Sequence, residues 1–374
     1  MTGRVAPGVP VAPARHLDPA TLLDQPPLTP AELVDLEALA ARILRTTNDV
    51  LVLQAEAILT LEAVARSLAA PGRRALNIVS GPYGGVFGGW LQEGGADVTT
   101  LTVPFDQVVT PDQVAEVIDR VRPDVVAVVH AEAATGGTNP VAAIGALARQ
   151  AGALTVVDAV AAVGAEPVET DAWDLDVVAI GPQKGLAGPA GVSAVSISER
   201  AWAAIDTNPG APRRSSLSLL DQRDGWLRTD RTLIPGMPSW LESRAFAAAA
   251  RRVLDEGLDA VQDRHRRSAA AAVAGARALG VEPWQEDPSG FAPVVTTLRA
   301  LDVPIADAAL GGILSRGNGP LRDRLLRVNH TGRAAALGPV LDAIDRLGAL
   351  LGRDASTVAS ARTAATRSFG ATQV

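Results

Sequence analysis

Cysteine is absent from this sequence. Its absence excludes disulfides, thiolate metal sites and cysteine nucleophiles. Histidine is scarce: His16, His130, His265 and His330 are the only four. No pair of them has zinc-ligand spacing, which excludes the usual structural zinc motifs. Positive charge is never concentrated. The net charge is −7, and arginines and carboxylates alternate along the chain, so nucleic acid and anionic membranes are poor candidate partners. No apolar run approaches the roughly 20 residues of a membrane span, and no h-region of a signal peptide is visible, so a cytoplasmic location is expected. Aromatics make up 3% of residues, with Tyr83 the one tyrosine. Lysine is almost missing too: Lys184 is the only one.

What is present is apolar and ordered. The chain has 374 residues, 47% of them hydrophobic, enough for a large core and a second domain. Residues 1–30 are Pro- and Ala-rich and read as an extended arm, and 31–46 read as a helix. Apolar, β-branched runs then alternate with helical ones. Strands are expected at 50–53, 75–80, 97–102, 125–130, 154–158, 177–180 and 192–197. Helices are expected at 59–69, 111–120, 142–151 and 199–204. This alternation implies an α/β fold with a mostly parallel central sheet buried on both faces. Segment 210–236 reads as loop and 238–279 as helical. A smaller α+β unit follows, with strands at 294–298 and 325–329 and helices at 304–310 and 334–351. The expected division is an arm (1–30), a large α/β domain (31–250), a small C-terminal domain (251–353) and a disordered Ala/Thr/Ser-rich tail (354–374).

The sole lysine stands in Gly181-Pro182-Gln183-Lys184-Gly185, directly after an apolar strand. Drift toward arginine explains the loss of surface lysines but not the retention of one here. Arginine cannot shed its proton or form a Schiff base, whereas a desolvated lysine can. Asp158 ends the strand Leu-Thr-Val-Val-Asp. It is either a helix N-cap or a carboxylate facing a ligand at the carboxyl end of a parallel strand, where open α/β sheets bind their ligands.

The stretch from Val156 to Gly191, VVDAVAAVGAEPVETDAWDLDVVAIGPQKGLAGPAG, resembles the class V aminotransferases of pyridoxal-phosphate fold type I, the alanine–glyoxylate group. The resemblance spans roughly residues 45–353. It implies that Lys184 is the Schiff-base lysine, that Asp158 pairs with the pyridine nitrogen, and that Val160 packs on one ring face. Tyr83 falls where the family places a stacking aromatic. His130 and Glu132 fall on a His-x-Glu element that the family uses at its cofactor. Arg327, in Leu325-Leu326-Arg327-Val328-Asn329-His330, falls on the arginine that clamps the substrate carboxylate, for which a planar fork is suited. Read without the resemblance, Arg327 is better taken as a solvated arginine on an edge strand. Arg316, in the Gly-rich segment 315–319, is a candidate second clamp or a solvated loop residue.

One junction departs from the family. A Gly-Ser-Gly-Thr turn normally cradles the cofactor phosphate at a helix start. Here Ala55, Glu56, Ala57 and Ile58 occupy it, Pro182 replaces a serine, and Ile234-Pro235 replaces a Thr-Pro element. Of the usual side-chain contacts only Gln183 remains. A helix start attracts anions through its free N–H groups and dipole, and Glu56 puts a carboxylate in that place. Two unit charges about 4 Å apart repel by about 4 kcal/mol at an effective dielectric near 20, on the order of a thousandfold in affinity. The alternative is that Glu56 points to solvent.

Within the group, this pattern resembles the branch in which the vitamer is a substrate rather than a resident cofactor. The implied reaction moves an amino group between pyridoxamine and pyruvate, giving pyridoxal and L-alanine, with no permanently bound cofactor. The alternatives are a pyridoxal-phosphate-dependent alanine/serine–glyoxylate aminotransferase and a pyridoxal-phosphate-dependent lyase on the same fold. A homodimer or homotetramer is expected, since fold-type-I sites are built at a subunit interface. Ala133, Ala134 and Asn329 differ from common family residues, which leaves the amino acceptor open.

Overall fold

The computed structural model describes residues 25–300 and 306–371. Helix α1 (Pro30–Leu44) is the first element among the described residues, with Thr29 and Glu32 forming a capping box. The strands that follow are β1 (Asp49–Leu53), β2 (Arg74–Val79), β3 (Asp97–Thr102), β4 (Val125–Val129), the two-residue pair β5 (Ala131–Glu132) and β6 (Gly137–Thr138), β7 (Leu154–Asp158), β8 (Val177–Ile180) and β9 (Ser193–Ile197). Interleaved helices are α2 (Ala57–Leu68), α3 (Pro82–Glu93), α4 (Pro111–Val121), α5 (Val141–Gln150) and α6 (Glu199–Asp206).

Seven of these strands form one sheet in the order β1-β9-β8-β7-β4-β2-β3. Only β9 runs against its neighbours. The other pairings are parallel. Strand residues alternate between two buried layers. In β4, Val126 and Val128 join the core beneath α4 and α5, while Val125 and Ala127 join the core beneath α2 and α3.

Helix α3 has no counterpart among the expected helices. Its glycines hide the helical signal and serve its packing. A side chain at Gly84 would approach Ile78 O to 2.8 Å, and one at Gly88 would reach Asn77 Nδ2 at 2.3 Å. The helix therefore lies flush on β2, and the Asn77 amide donates to Gly84 O.

After the sheet come α7 (Leu219–Gly225), α8 (Trp240–Glu256) and α9 (Leu258–Ala278). Thus 210–236 is not all loop, and the long helical stretch is broken at Gly257, whose φ is +92°. A three-stranded antiparallel sheet, β10-β12-β11, follows, built from β10 (Thr296–Arg299), β11 (Leu314–Arg316) and β12 (Leu325–Val328). It packs with α9 and α10 (Leu337–Leu350). Part of the helix expected at 304–310 lies outside the described residues, and 307–310 form a 3-10 turn.

The expected disordered tail is corrected. Residues Ala355–Ala371 form helix α11. Its small residues, which resemble a disordered composition, let it seat closely on α9. Ala361 and Ala365 are fully buried in the same core as Ala272 and Ala276. The Arg267 guanidinium stacks on Phe369 at 4.4 Å and donates to its carbonyl. No helix among the described residues is long and apolar enough to cross a membrane.

Candidate active site

The site gathers at the carboxyl ends of the parallel strands, as the fold class requires. β1 leads into Glu56, β2 into Tyr83, β4 into Glu132, β7 ends at Asp158, and β8 precedes Gln183 and Lys184. Lys184, Asp158, Glu56, Tyr83, Val160 and Gln183 all line one cavity of about 360 Å3. Ala57, Ile58, Leu61, Val129, Ala131, Ala133 and Ala161 complete its lining. Ala57 and Ile58 belong to the turn singled out in the sequence and Ala133 to its departures, whereas Leu61, Val129, Ala131 and Ala161 were not candidates, because apolar wall residues carry no signal that separates them from core.

Glu56 faces this cavity. It is the N-cap of α2, and its Oε2 accepts from the Ile58 N–H at 2.9 Å. Its Oε1 accepts from Gln183 Nε2 at 2.7 Å. One N–H of the Gln183 amide is thereby spent on a carboxylate, and Gln183 Oε1 is buried without a partner. The Glu56 and Gln183 side chains therefore leave acceptors, not donors, at this end of the cavity. A phosphate dianion, itself only an acceptor, does not fit them; a hydroxyl does.

Asp158 Oδ1 accepts from the Val160 N–H at 3.0 Å, which makes a tight turn of the strand end. Burial pushes the Asp158 carboxyl up to about 6, against the pull of that N–H, with Glu56 raising it further and Lys184 lowering it. Burial also lowers the Lys184 ammonium, and the Arg327 charge adds to this. Glu56, Asp158 and Glu132 oppose it. A lysine eased toward its free amine is what nucleophilic and general-base roles need.

Glu132 sits behind the cavity with no exposed surface. It accepts from the Tyr83 N–H at 3.2 Å and the Ala134 N–H at 3.3 Å. Burial, then the nearby Asp158 charge, pushes it up to about 8, so it is mostly protonated at neutral pH. Its carbon chain fills the space beside Gly81, where a Cβ would come within 2.1 Å of Glu132 Cγ. Glu132 thus fixes the start of α3 and the placement of Tyr83.

Arg327 lies on β12, opposite Thr297 on β10 and Ser315 on β11. Its Nε donates to Ser315 Oγ at 3.2 Å, and its terminal nitrogens have no partner among the described residues. Burial lowers its affinity for its proton, and Tyr83 lies near enough to raise it. Ser315 was missed because β11 has three residues and glycines on both sides.

Two candidates fall elsewhere. Arg316 pairs across β12 with Leu326, one residue out of step with Arg327, so it occupies the opposite face of the small sheet. Asp307 at 2.9 Å and Asp323 at 3.4 Å engage it there, and it is no second clamp. His130 follows β4 on the face opposite Val129 and Ala131. It lines a different cavity with Glu166 and Trp173, so it makes no cofactor contact.

A lysine and a strand-end carboxylate lining one cavity, with a half-buried arginine outside its lining but near enough to act on that lysine, on this sheet order, mark a transaminase. Residues 86–291, more than half of the chain, match the family model for class V aminotransferases, and the chain belongs to that family. Among its relatives is the pyridoxamine–pyruvate transaminase of Mesorhizobium japonicum, 35% identical over 318 residues, covering 83% of this chain and 80% of that one. The crystal structure of pyridoxamine–pyruvate aminotransferase from Mesorhizobium loti superposes with a TM-score of 0.86 at 32% identity, covering 95% and 94% of the two chains. The (S)-ureidoglycine–glyoxylate transaminase of Bacillus subtilis is 31% identical over 308 residues, covering 78% and 70%. The protein is an aminotransferase of fold type I.

Proposed function

We propose that this aminotransferase moves an amino group between pyridoxamine and pyruvate, giving pyridoxal and L-alanine, and that the unphosphorylated vitamer is an exchangeable substrate. The observation that carries this reading is the inward-facing Glu56 carboxylate, held by Ile58 N–H and the Gln183 amide where a phosphate would need donors. The similarity to pyridoxamine–pyruvate transaminase supports it independently.

When bound, the pyridine ring supplies an electron sink. The protein supplies the rest. Asp158, opposite the ring nitrogen, holds a proton there through its negative charge. Lys184 Nζ, eased toward the free amine, would add to the exocyclic C4′ aldehyde of pyridoxal with loss of water, and would carry the proton between C4′ and the amino-acid Cα. Tyr83 and Val160 bound the ring on its faces. Gln183 Oε1, the unpaired acceptor beside Glu56, would take the one hydrogen bond that the 5′-hydroxyl donates. The Arg327 fork takes the keto-acid carboxylate, with Ser315 fixing its Nε.

We also read the protein as a homodimer or homotetramer. Leu59, Tyr83 and Val86 expose apolar surface on the first turns of α2 and α3, beside the cavity.

Purified protein incubated with pyridoxamine and pyruvate should form pyridoxal and L-alanine in equal amounts without added pyridoxal phosphate. Transfer from alanine or serine to glyoxylate, seen only after pyridoxal phosphate is added, would instead establish the phosphate-dependent reading.

A further inference from the structure

On the sheet face opposite Lys184 lies a second cavity, of about 680 Å3, between the starts of α4 and α5 and segment 285–289. The active-site chemistry leaves it unused. His130, Thr138, Glu166 and Trp173 line it, together with the first residues of α5. Neither Arg nor Lys does. Its ionisable lining groups are His130, Glu166, Glu286 and Asp287. Arg266 and Arg277 lie across an adjoining cavity that shares Thr138 and Glu166.

Two buried polar atoms here lack partners. His130 is only 5% exposed, and its Nδ1 is unpaired. Its Nε2 stands 3.8 Å from Glu166 Oε2, beyond hydrogen-bond distance. That carboxylate oxygen accepts from Thr138 Oγ1 at 2.6 Å, while Glu166 Oε1 is buried and unpaired. Trp173 packs edge-on against the imidazole, with ring centres 5.9 Å apart. Buried atoms of this kind are rarely left unsatisfied, and they point to a group that satisfies them.

The cavity also offers free donors. Pro140 caps α5 without a side-chain acceptor, and while the Val141 N–H donates to Asn139 O at 2.8 Å, the N–H groups of Ala142 and Ala143 are open to a ligand carboxylate. Acceptors at Glu166 and donors on α5 suit opposite ends of one small molecule.

We propose that this cavity is a second ligand site for a small zwitterionic amino acid, its ammonium on Glu166, its carboxylate on the first turn of α5 and His130 Nδ1 completing its hydrogen bonds. Burial holds His130 neutral, at about 4, and pushes Glu166 up to about 7. An ammonium beside Glu166 favours its ionised form, so binding near neutral pH releases protons. The ligand would bridge the large sheet and segment 285–289, which leads into β10. The inference does not depend on which substrate the Lys184 cavity uses.

The test is calorimetric titration of the vitamer-free full chain with glycine and with L-alanine, in two buffers of different ionisation enthalpy. Arg327→Ala removes amino-acid binding at the Lys184 cavity. Binding with proton release should survive in Arg327→Ala. Glu166→Gln should weaken it at least tenfold and abolish the release. Ala142→Asp, an exposed position at a helix start where an acid favours folding, should also weaken it at least tenfold. It decides the matter should Glu166→Gln fail to fold. No binding of either amino acid, or binding lost in Arg327→Ala and unchanged in Glu166→Gln or Ala142→Asp, would overturn the proposal.

Discussion

Helices α2 and α5 both begin just beyond the carboxyl edge of the same sheet, and they begin differently. α2 carries its own anion: Glu56 caps it, turns into the cavity and is fixed by Gln183. α5 starts at Pro140, which has no acceptor to offer. The positive end of a helix is a general anion site. Whether it serves a ligand depends on whether the chain has already filled it. At α2 the chain has done so, and the site is left with acceptors. At α5 the Ala142 and Ala143 N–H groups remain free, with an unpaired carboxylate oxygen and an unpaired imidazole nitrogen in the same cavity.

The comparison is sharpened by disabling one side of it. Lys184→Ala removes the only amine of the first cavity. Turnover of pyridoxamine with pyruvate should fall on the order of 10²–10⁴-fold or more, while amino-acid binding beside α5 stays intact. Rapid-quench measurement of pyridoxal formation checks the first, calorimetry the second.

Glu56→Gly makes α2 resemble α5 by emptying its first turn. Affinity for pyridoxal phosphate should rise by up to about a thousandfold, the size of the repulsion removed. The kcat/KM for pyridoxamine should drop with it. Fluorescence titration with each vitamer form reads both changes. Equal affinities before and after would mean that the Glu56 charge plays no part in selection.

Arg327→Lys keeps the charge but loses the fork. One charge-assisted hydrogen bond is worth about 1.5–3 kcal/mol, so KM for pyruvate should rise about tenfold to a hundredfold, with a smaller change for pyridoxamine. Steady-state kinetics with each substrate varied in turn separates the two.

The smallest effect concerns pH. Asp158 takes up a proton as pH falls through about 6. In that form it no longer holds a proton on the ring nitrogen, so kcat/KM should decline on the acid side with a midpoint near 6. Asp158→Asn should show lower activity and no such limb. A wild-type profile flat from pH 5 to 7 would contradict the role given to Asp158.

Much of the large sheet was legible because β-branched runs between Gly and Pro are strong signals in a doubly covered sheet. β3, β7 and β8 fall at the residues expected. Helices α3 and α11 were not legible, for one reason in two forms. Close packing selects small residues, glycine against β2 and alanine against α9, and small residues read as loop or disorder. In the site, Lys184 and Asp158 stood out by rarity and position. The Gln183–Glu56 bond did not, since the two residues are brought together only by the sheet. His130 and Arg316 were misplaced for want of strict alternation. His130 sits one residue from Val129 and Ala131, which line the cavity, Arg316 sits one residue from Ser315, which holds Arg327, and one residue along a strand reverses the face.

The claim that matters most is that Glu56 and Gln183 turn the α2 anion site into one for a hydroxyl. A spectral titration of the wild-type protein tests it directly. Pyridoxal and pyridoxal phosphate are added separately, and the visible band that forms with Lys184 is followed, with Lys184→Ala as the blank. Saturation by pyridoxal at concentrations where the phosphate form gives no band is the predicted result. Tight, lysine-dependent binding of the phosphate form with none of pyridoxal would contradict it.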